Sequence, residues 1–488
     1  MGSLPALLPW GGLSAGGGKE IETMNETTIQ KNEEGRLSFL QRLCYGFTDA
    51  GGNFAFSMVS SYLTVFYTDV VGLTPAVISI IMLVARVWDA INDPMMGVIA
   101  DKTRSKWGRY RPYLLFGAPV LGILTVLAFT KPGFGGVKGA VYCGITYILS
   151  GMAYTVTGVA GTALANVLSR NNQERMVLIT FRSVVSQVAT LITGAATMPL
   201  ILHFGEGNAS SAKGYFCTVV IFAILGTICY WIAFFGTKEV VEPAEGAKAV
   251  PITDSLKLAF GDPSVRKLLL GYLIYMCGVF GRIGVMVYFF LYVVENPLWL
   301  SVAATVMTAA MAVPVLAVPF LTRRFEKKTL MTALLILGAI GGGILFMGGR
   351  LMSLPLILVG TAMFHGCGAL VGTVSYGLVA EIVDDMEVRT GNRADAIVLS
   401  VTSFSVKLGN AIAGSLGVVL LGVAGYVANA TQDAATKTGM NMVINLLPAA
   451  LFLIAIIPFS MIKMNHAKAA ENQAILMSRH TGSTGADE

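Results

Sequence analysis

The chain has 488 residues, of which 55% are hydrophobic and only 13% are charged. Soluble globular proteins contain about 25% charged residues, so this composition excludes an ordinary soluble protein and predicts a chain that crosses a membrane several times. The net charge of +6 does not indicate a nucleic-acid partner, because the surplus basic residues lie in short loops between apolar segments.

Apolar segments long enough to cross about 30 Å of hydrocarbon as helices recur along nearly the whole chain. In chain order, the first group is predicted at 40–67, 75–100, 112–130, 138–168, 177–204 and 214–236. The second group is predicted at 264–293, 297–321, 329–348, 352–382, 396–425 and 438–463. The sequence therefore predicts an all-α integral membrane protein with about twelve transmembrane helices in two groups of six.

Polar stretches flank and separate the two groups. We predict an N-terminal six-helix half at 39–236, a linker at 237–262 and a C-terminal six-helix half at 263–464. A flexible tail at 1–38 and a polar, disordered tail at 465–488 complete the predicted organisation.

Basic residues predict the orientation, because short loops rich in lysine and arginine stay on the cytoplasmic side. The loop after the second predicted helix and the loop after the eighth carry the densest basic clusters: Lys102, Arg104, Lys106, Arg109 and Arg111 in the first, and Arg323, Arg324, Lys327 and Lys328 in the second. An even number of helices then places the linker and both termini in the cytoplasm. The expected location is the cell (inner) membrane, crossed many times.

The sequence predicts that the protein is not an enzyme. The six cysteines are scattered without a CxxC pair, and the four histidines lack metal-ligand spacing. Nucleotide-binding and nucleophile-elbow fingerprints do not occur in a suitable context. We therefore expect no cofactor and no metal centre, and only a coupling ion besides the substrate. We also expect the protein to be a monomer.

The second predicted helix contains the stretch ARVWDAINDPMMG, in which Arg86, Asp89 and Asp93 share one helical face with Asn92. Ionised carboxylates are costly in hydrocarbon, so this face must look into a hydrated interior. We predict that Asp89, Asn92 and Asp93 bind a monovalent cation. The alternative is a permanent salt-bridge cluster that only joins helices, although one arginine leaves one of the two carboxylates uncompensated.

These residues carry a resemblance to a known family. The stretches RVWDAINDP (86–94) and DKTRSKWGRYRP (101–112) resemble the second helix and following loop of the glycoside-pentoside-hexuronide:cation symporters, which include melibiose and glucuronide carriers. The stretches YTDVVGL (67–73) and AEIVD (380–384) extend the resemblance over nearly the whole chain after residue 38. It implies a major facilitator fold that moves sugars or glycosides by alternating access.

The resemblance also implies roles for particular residues. Asp89, Asn92 and Asp93 match the cation-binding helix, while Arg182 and Lys407 match basic residues that face the central cavity. The full set of predicted substrate-binding residues is Asn53, Arg86, Arg182, Arg282, Thr402 and Lys407. The predicted cytoplasmic gate consists of Asp101, Arg104, Glu381, Asp384, Arg389 and Arg393, with ordinary solvated-loop charges as the alternative for the last four.

Three departures from the family pattern bear on the substrate. Asn53 stands where melibiose-type carriers have an aspartate on the first helix, and Gly158 and Thr162 stand where their fourth helix has an acidic residue and a tryptophan. Because acidic side chains of the family pattern are missing and the basic ones are present, the cavity is predicted to carry a net positive charge from Arg182, Lys407 and Arg282. For Arg282, which interrupts an apolar run, packing inside the bundle and snorkelling outward are the alternatives.

A positive cavity suits a carboxylate, so the sequence predicts import of an acidic sugar such as a hexuronide or glucuronide. A proton is favoured over sodium as the coupling ion, because Gly158 removes an oxygen ligand that sodium would need. The alternatives are a neutral glycoside, or another amphiphile such as a lysophospholipid on the same fold. Lys407 could also form a fixed pair with Asp89 or Asp93.

Overall fold

The computed structural model describes residues 37–169, 171–240, 261–390 and 395–483. Within these ranges, twelve helices are long and apolar enough to cross a membrane. The first six are α1 (Phe39–Val65, extended by the π-helical turn Phe66–Val71), α2 (Pro75–Lys102), α3 (Arg111–Ala128), α4 (Gly136–Leu168), α5 (Asn172–Phe204) and α6 (Ala212–Gly236). The second six are α7 (Pro263–Tyr288, extended by Phe289–Val293), α8 (Pro297–Ala312, continued by Val318–Arg324), α9 (Lys327–Arg350), α10 (Leu354–Thr390), α11 (Asp395–Val423) and α12 (Ala434–Asn441 and Leu447–Ser460, joined by a π-helical turn).

Local sequence signals explain where several helices begin. Pro75, Pro263 and Pro297 occupy the first turns of α2, α7 and α8, where a missing backbone N–H costs nothing. Asp262 caps α7 by accepting hydrogen bonds from the backbone N–H groups of Ser264 and Val265 at 2.7 and 3.2 Å. The apolar length that follows each start is what makes these helices membrane-spanning.

Helices within each half pack closely where glycine allows it. In the N-terminal half, α1 contacts both α5 and α6. A Cβ atom on Gly51 of α1 would lie 2.6 Å from the Tyr230 ring and 2.8 Å from the Gly226 carbonyl oxygen of α6. Small residues of this kind let transmembrane backbones approach each other.

The predicted disorder of the last segment is wrong for most of its length, because His466–Ser483 forms a further helix, α13. The Asn465 side chain accepts a hydrogen bond from the backbone N–H of Lys468 at 2.8 Å, which caps its first turn. Lys468 and Asn472 then bond to Asp385 on α10, at 2.8 and 3.3 Å. Tertiary contact with a buried carboxylate thus orders a segment whose composition alone predicts disorder.

The two halves meet mainly at one end of the bundle. We call the end where α1 begins and α12 ends the terminal end, and the opposite end the far end. Contacts join α1 to α7, α2 to α11 and α5 to α8, and they include a hydrogen bond from the Thr64 hydroxyl to the Gly284 carbonyl at 3.1 Å. A Cβ atom on Gly422 of α11 would lie 3.3 Å from Pro75 of α2, and one on Gly194 of α5 would lie 3.1 Å from Ala304 of α8, all in the parts of these helices nearer the far end. No comparable packing joins α4 to α10 among the described residues. We infer that the space between the halves opens toward the terminal end.

Candidate functional site

The charged face of α2 looks into the space between the two halves. Arg86 bonds to Asp89 on the same helix at 3.2 Å, and Lys407 on α11 forms an ion pair with Asp93. Thr155 on α4 donates a hydrogen bond to the second oxygen of Asp93 at 2.9 Å. Asp93 therefore connects α2, α4 and α11, and each α2 carboxylate has a cationic partner within reach.

A second polar cluster joins α1, α4 and α5. Arg182 donates from Nε and Nη2 to the same oxygen of Asp49, at 3.1 and 2.7 Å, and from Nη1 to the Thr162 hydroxyl at 2.8 Å. Sequence reasoning missed Asp49. Its signal was available: it is an isolated carboxylate in an apolar helix, one turn before Asn53 and on the same face.

One face of α4 lines both clusters. Gly151 lies beside Asp89, since a Cβ atom there would be 3.2 Å from the carboxylate, and Thr155 and Thr162 bond to Asp93 and Arg182. A Cβ atom on Gly158, between them, would meet nothing within 4 Å. This face therefore borders an open space that the two polar clusters share.

The two clusters are close to charge balance. Their three cations, Arg86, Arg182 and Lys407, face three carboxylates, Asp49, Asp89 and Asp93. The predicted positive surplus is not found among these paired groups, because Asp49 replaces one of the missing acids. Each of the three carboxylates has a cationic side chain bonded to one of its oxygens.

Arg282 lies elsewhere. It is fully buried in the C-terminal half, where its Nε donates to Asn445 on α12 at 3.2 Å and its Nη1 lies 2.7 Å from His365 Nε2 on α10. Snorkelling to the surface is therefore excluded. The contacts of Arg282 pack three helices together, and they do not place it at either cavity cluster.

The other predicted cavity residues have local partners. The Asn53 amide bonds to the Ser186 hydroxyl on α5, and the Thr402 hydroxyl donates to the Val398 carbonyl of its own helix at 2.8 Å. Asn92 is buried, and its amide nitrogen has no hydrogen-bond partner in the described part of the chain. It is the one member of the predicted cation site that the surrounding side chains leave unsatisfied.

Two of the predicted gate residues, Glu381 and Arg389, pair inside their own half. Glu381 forms an ion pair with Lys327 on α9, and Arg389 bonds to Asp262 at 2.7 Å and to Asp385 at 2.8 Å. Burial alone would raise the pKa of Asp262, but hydrogen bonds from Arg389 and two backbone N–H groups hold that pKa below its ordinary value.

Other members of the predicted gate give less information. Asp384 lies on α10 beside Asp385, and the Arg104 guanidinium bonds to the Thr103 carbonyl at 3.1 Å. Arg393 and the side chain of Asp101 lie outside the described residues. Closure across the two halves stays a prediction for a conformation in which the terminal end is shut.

The far end carries a polar cluster that sequence reasoning did not identify, which we call the far-end latch: Thr68, Asp69, Tyr292, Tyr426 and Asn429. The Asp69 carboxylate accepts hydrogen bonds from Thr68 at 2.6 Å, from Tyr292 at 2.5 Å and from Tyr426. Its backbone carbonyl accepts from the Asn429 amide at 2.6 Å. Two tyrosines of the C-terminal half thus hold the Asp69 carboxylate and Asn429 holds its backbone carbonyl, which closes this end of the bundle.

Comparisons with known proteins agree with this architecture. The sequence model of the family described as MFS/sugar transport protein matches residues 44–466. An isoprimeverose transporter of Lactiplantibacillus pentosus is 33% identical over 422 residues, which covers 86% of this chain and 87% of that relative. A glucuronide carrier protein homolog of Escherichia coli is 29% identical over 426 residues, covering 86% and 92% of the two chains.

Solved structures share the fold at low sequence identity. A crystal structure of the D-xylose-proton symporter aligns with a TM-score of 0.60 at 15% identity, covering 87% of this chain and 97% of that one. The nucleoside transporter NupG aligns with a TM-score of 0.59 at 14% identity, covering 88% and 100%. The major facilitator fold predicted from the sequence is confirmed.

Proposed function

Because the chain belongs to the glycoside-pentoside-hexuronide:cation symporter family of the major facilitator superfamily, we propose that it imports an acidic glycoside together with a proton by alternating access. Family membership makes it a multi-pass membrane symporter that couples sugar movement to a cation. Relatives named for a substrate include an isoprimeverose transporter and a putative glycoside/cation symporter, so the alternative of a lysophospholipid carrier gains no support from them.

The ion pair between Lys407 and Asp93 carries this proposal. It joins α11 of one half to α2 of the other, and it sits on the helix where the coupling cation is expected to bind. When a cation neutralises Asp93, Lys407 loses its partner. The Lys407 side chain is 58% exposed, so its ammonium group then faces the cavity without a counter-charge. A carboxylate bonds to such a group more strongly than a neutral hydroxyl does, so the cation-loaded cavity favours a ligand that brings a negative charge.

The charge balance of the cavity supports the same conclusion. The six paired groups sum to zero, so one bound cation gives a charge of +1 with a neutral sugar and zero with a uronate. An acidic substrate and one cation therefore restore balance together. A relative named for isoprimeverose and another named as a glucuronide carrier homolog show that the family contains more than one kind of sugar carrier.

A proton suits this site better than sodium. Sodium needs several oxygen ligands to replace its water, and Gly158 supplies no side-chain oxygen on the α4 face. The cationic groups of Arg86 and Lys407 lie beside Asp89 and Asp93 and would repel a bound metal ion. A proton needs only one carboxylate oxygen, which it can take as Lys407 moves away.

The conformation fits one step of alternating access. If the basic loops face the cytoplasm as predicted, the far end is the outside of the cell, and the far-end latch closes the outer side while the cavity opens inward. Release of the proton from Asp93 then lets Lys407 return to its carboxylate and displace the substrate. The substrate and the proton would thus leave on the same side.

Competition between a uronide and its ester tests the proposed substrate class. We expect methyl β-glucuronide to compete for uptake about tenfold to a hundredfold better than its methyl ester, since a charge-assisted contact contributes about 1.5 to 3 kcal/mol. Lys407→Gln should reduce that ratio, because it should weaken the binding of the acid more than the binding of the ester. Lys437→Gln, which removes a lysine paired with Glu295 at the far end, is the matched control and should preserve it.

Two outcomes would count against the acidic substrate. Equal competition by the acid and the ester in the wild-type protein would point to a neutral glycoside. A wild-type preference that Lys407→Gln leaves intact would mean that another group binds the carboxylate.

A further inference from the structure

The position of Asp49 is unusual for this cavity, because the residue expected to contact sugar from α1 is Asn53. The Asn53 side-chain amide already donates a hydrogen bond to the Ser186 hydroxyl. Asp49 lies one turn earlier on the same helix, and its side chain is 33% exposed. A carboxylate is therefore available on α1, but displaced by one turn toward the terminal end.

The geometry of the pair with Arg182 leaves half of this carboxylate free. Both hydrogen bonds from Arg182 go to Oδ1 of Asp49, at 3.1 and 2.7 Å. Among the described residues, Oδ2 has no hydrogen-bond partner. The pair of Arg42 with Glu174 differs, because there Nε and Nη2 each bond a different carboxylate oxygen, at 2.7 and 3.0 Å.

The surroundings of the free oxygen suit a sugar ring. Arg182 is fixed from its other side by Thr162, so the carboxylate is held in place. Gly158 leaves open space on the facing helix. The ring of Tyr154 stacks on Phe56 of α1, with centroids 5.6 Å apart, and a Cβ atom on Gly52 of α1 would lie 3.2 Å from that ring. An acceptor oxygen beside an aromatic ring and an open space matches the hydroxyl edge and the apolar face of a pyranose.

We propose that Asp49 is the sugar-recognising carboxylate of this transporter: Oδ2 accepts a hydrogen bond from a ring hydroxyl, while Arg182 holds the carboxylate through Oδ1. This inference rests on the proposed function and deepens it. It separates two tasks, since Lys407 responds to the charge of the substrate and Asp49 to the pattern of its hydroxyl groups.

The test measures hydroxyl discrimination in proteoliposomes, with methyl β-glucuronide, methyl β-glucoside and the 2-, 3- and 4-deoxy analogues of each as competitors. In the wild-type protein, at least one deoxy analogue should bind about tenfold to a hundredfold more weakly than its parent. In Asp49→Asn, the neutral amide oxygen accepts a weaker hydrogen bond than the carboxylate does, so the affinity difference between the parent and that analogue should shrink. Glu174→Gln breaks another ion pair between α1 and α5 and should keep the discrimination.

A charge-swapped protein, with Asp49→Arg and Arg182→Asp together, separates recognition from packing. The swap restores an ion pair between α1 and α5 but moves the carboxylate to the other helix, so we expect it not to restore discrimination. Wild-type discrimination in either Asp49→Asn or the swapped protein would overturn the inference. If the wild-type protein binds neither parent sugar, the proposed function fails and this inference fails with it.

Discussion

Asp93→Asn is expected to abolish uphill accumulation of substrate, so that the internal concentration only equals the external one. Asparagine has the size of aspartate but cannot take up a proton at neutral pH, and it cannot form an ion pair with Lys407. The ammonium group is then free whether or not a proton gradient exists. Exchange of labelled for unlabelled substrate should continue, because exchange does not need the driving ion.

The measurement is accumulation of labelled methyl β-glucuronide in energised vesicles, beside counterflow in de-energised ones. Asp433→Asn is the control, because this aspartate caps the first turn of α12 at the far end and lies outside the cavity. Asp89→Asn should resemble Asp93→Asn if both carboxylates form the coupling site. Accumulation by Asp93→Asn at the wild-type level would show that Asp93 does not couple transport to the ion.

Asp69→Ala is expected to open the far end. The substitution removes the acceptor for three hydroxyl groups, two of which belong to the opposite half. A hydrogen bond to a charged group contributes about 1.5 to 3 kcal/mol, and the two bonds from Tyr292 and Tyr426 cross between the halves, so they break when the far end opens. Losing one such hydrogen bond shifts the equilibrium between the shut and the open far end about tenfold to a hundredfold toward the open state.

Cysteine labelling measures this shift. In a protein without native cysteines, Gly158→Cys places a thiol in the open space of the cavity. An impermeant maleimide added on the far side should label it faster in the Asp69→Ala background. Glu295→Gln removes a solvent-exposed far-end carboxylate, whose pair with Lys437 lies within one half, and should not change the rate. Equal rates in all three proteins would mean that the latch does not control access.

The sequence was sufficient for features that depend on local spacing. Apolar length predicts the twelve helices, and the i, i+3, i+7 spacing of Arg86, Asp89 and Asp93 predicts one charged face directed inward. Both follow from the geometry of a single helix, which needs no knowledge of its neighbours.

Features that depend on long-range contacts were missed. Asp49 meets Arg182 across 133 positions of sequence, and Asp69 meets Tyr426 across 357. No local sequence pattern indicates such partners. The sequence therefore predicts a net positive cavity, and it does not predict the far-end latch. Arg282 shows the same limit, because its burial against His365 depends on how α7 packs on α10.

The central claim is that a proton and an acidic glycoside cross the membrane together, and gradient-driven uptake in proteoliposomes tests it most directly. Uptake of methyl β-glucuronide is measured with an inward proton gradient, with an inward sodium gradient at fixed pH, and with a membrane potential alone. Because one proton and one uronate sum to zero charge, the account predicts accumulation under the proton gradient and none under the other two. Accumulation driven by sodium at fixed pH, without any response to the proton gradient, would contradict it.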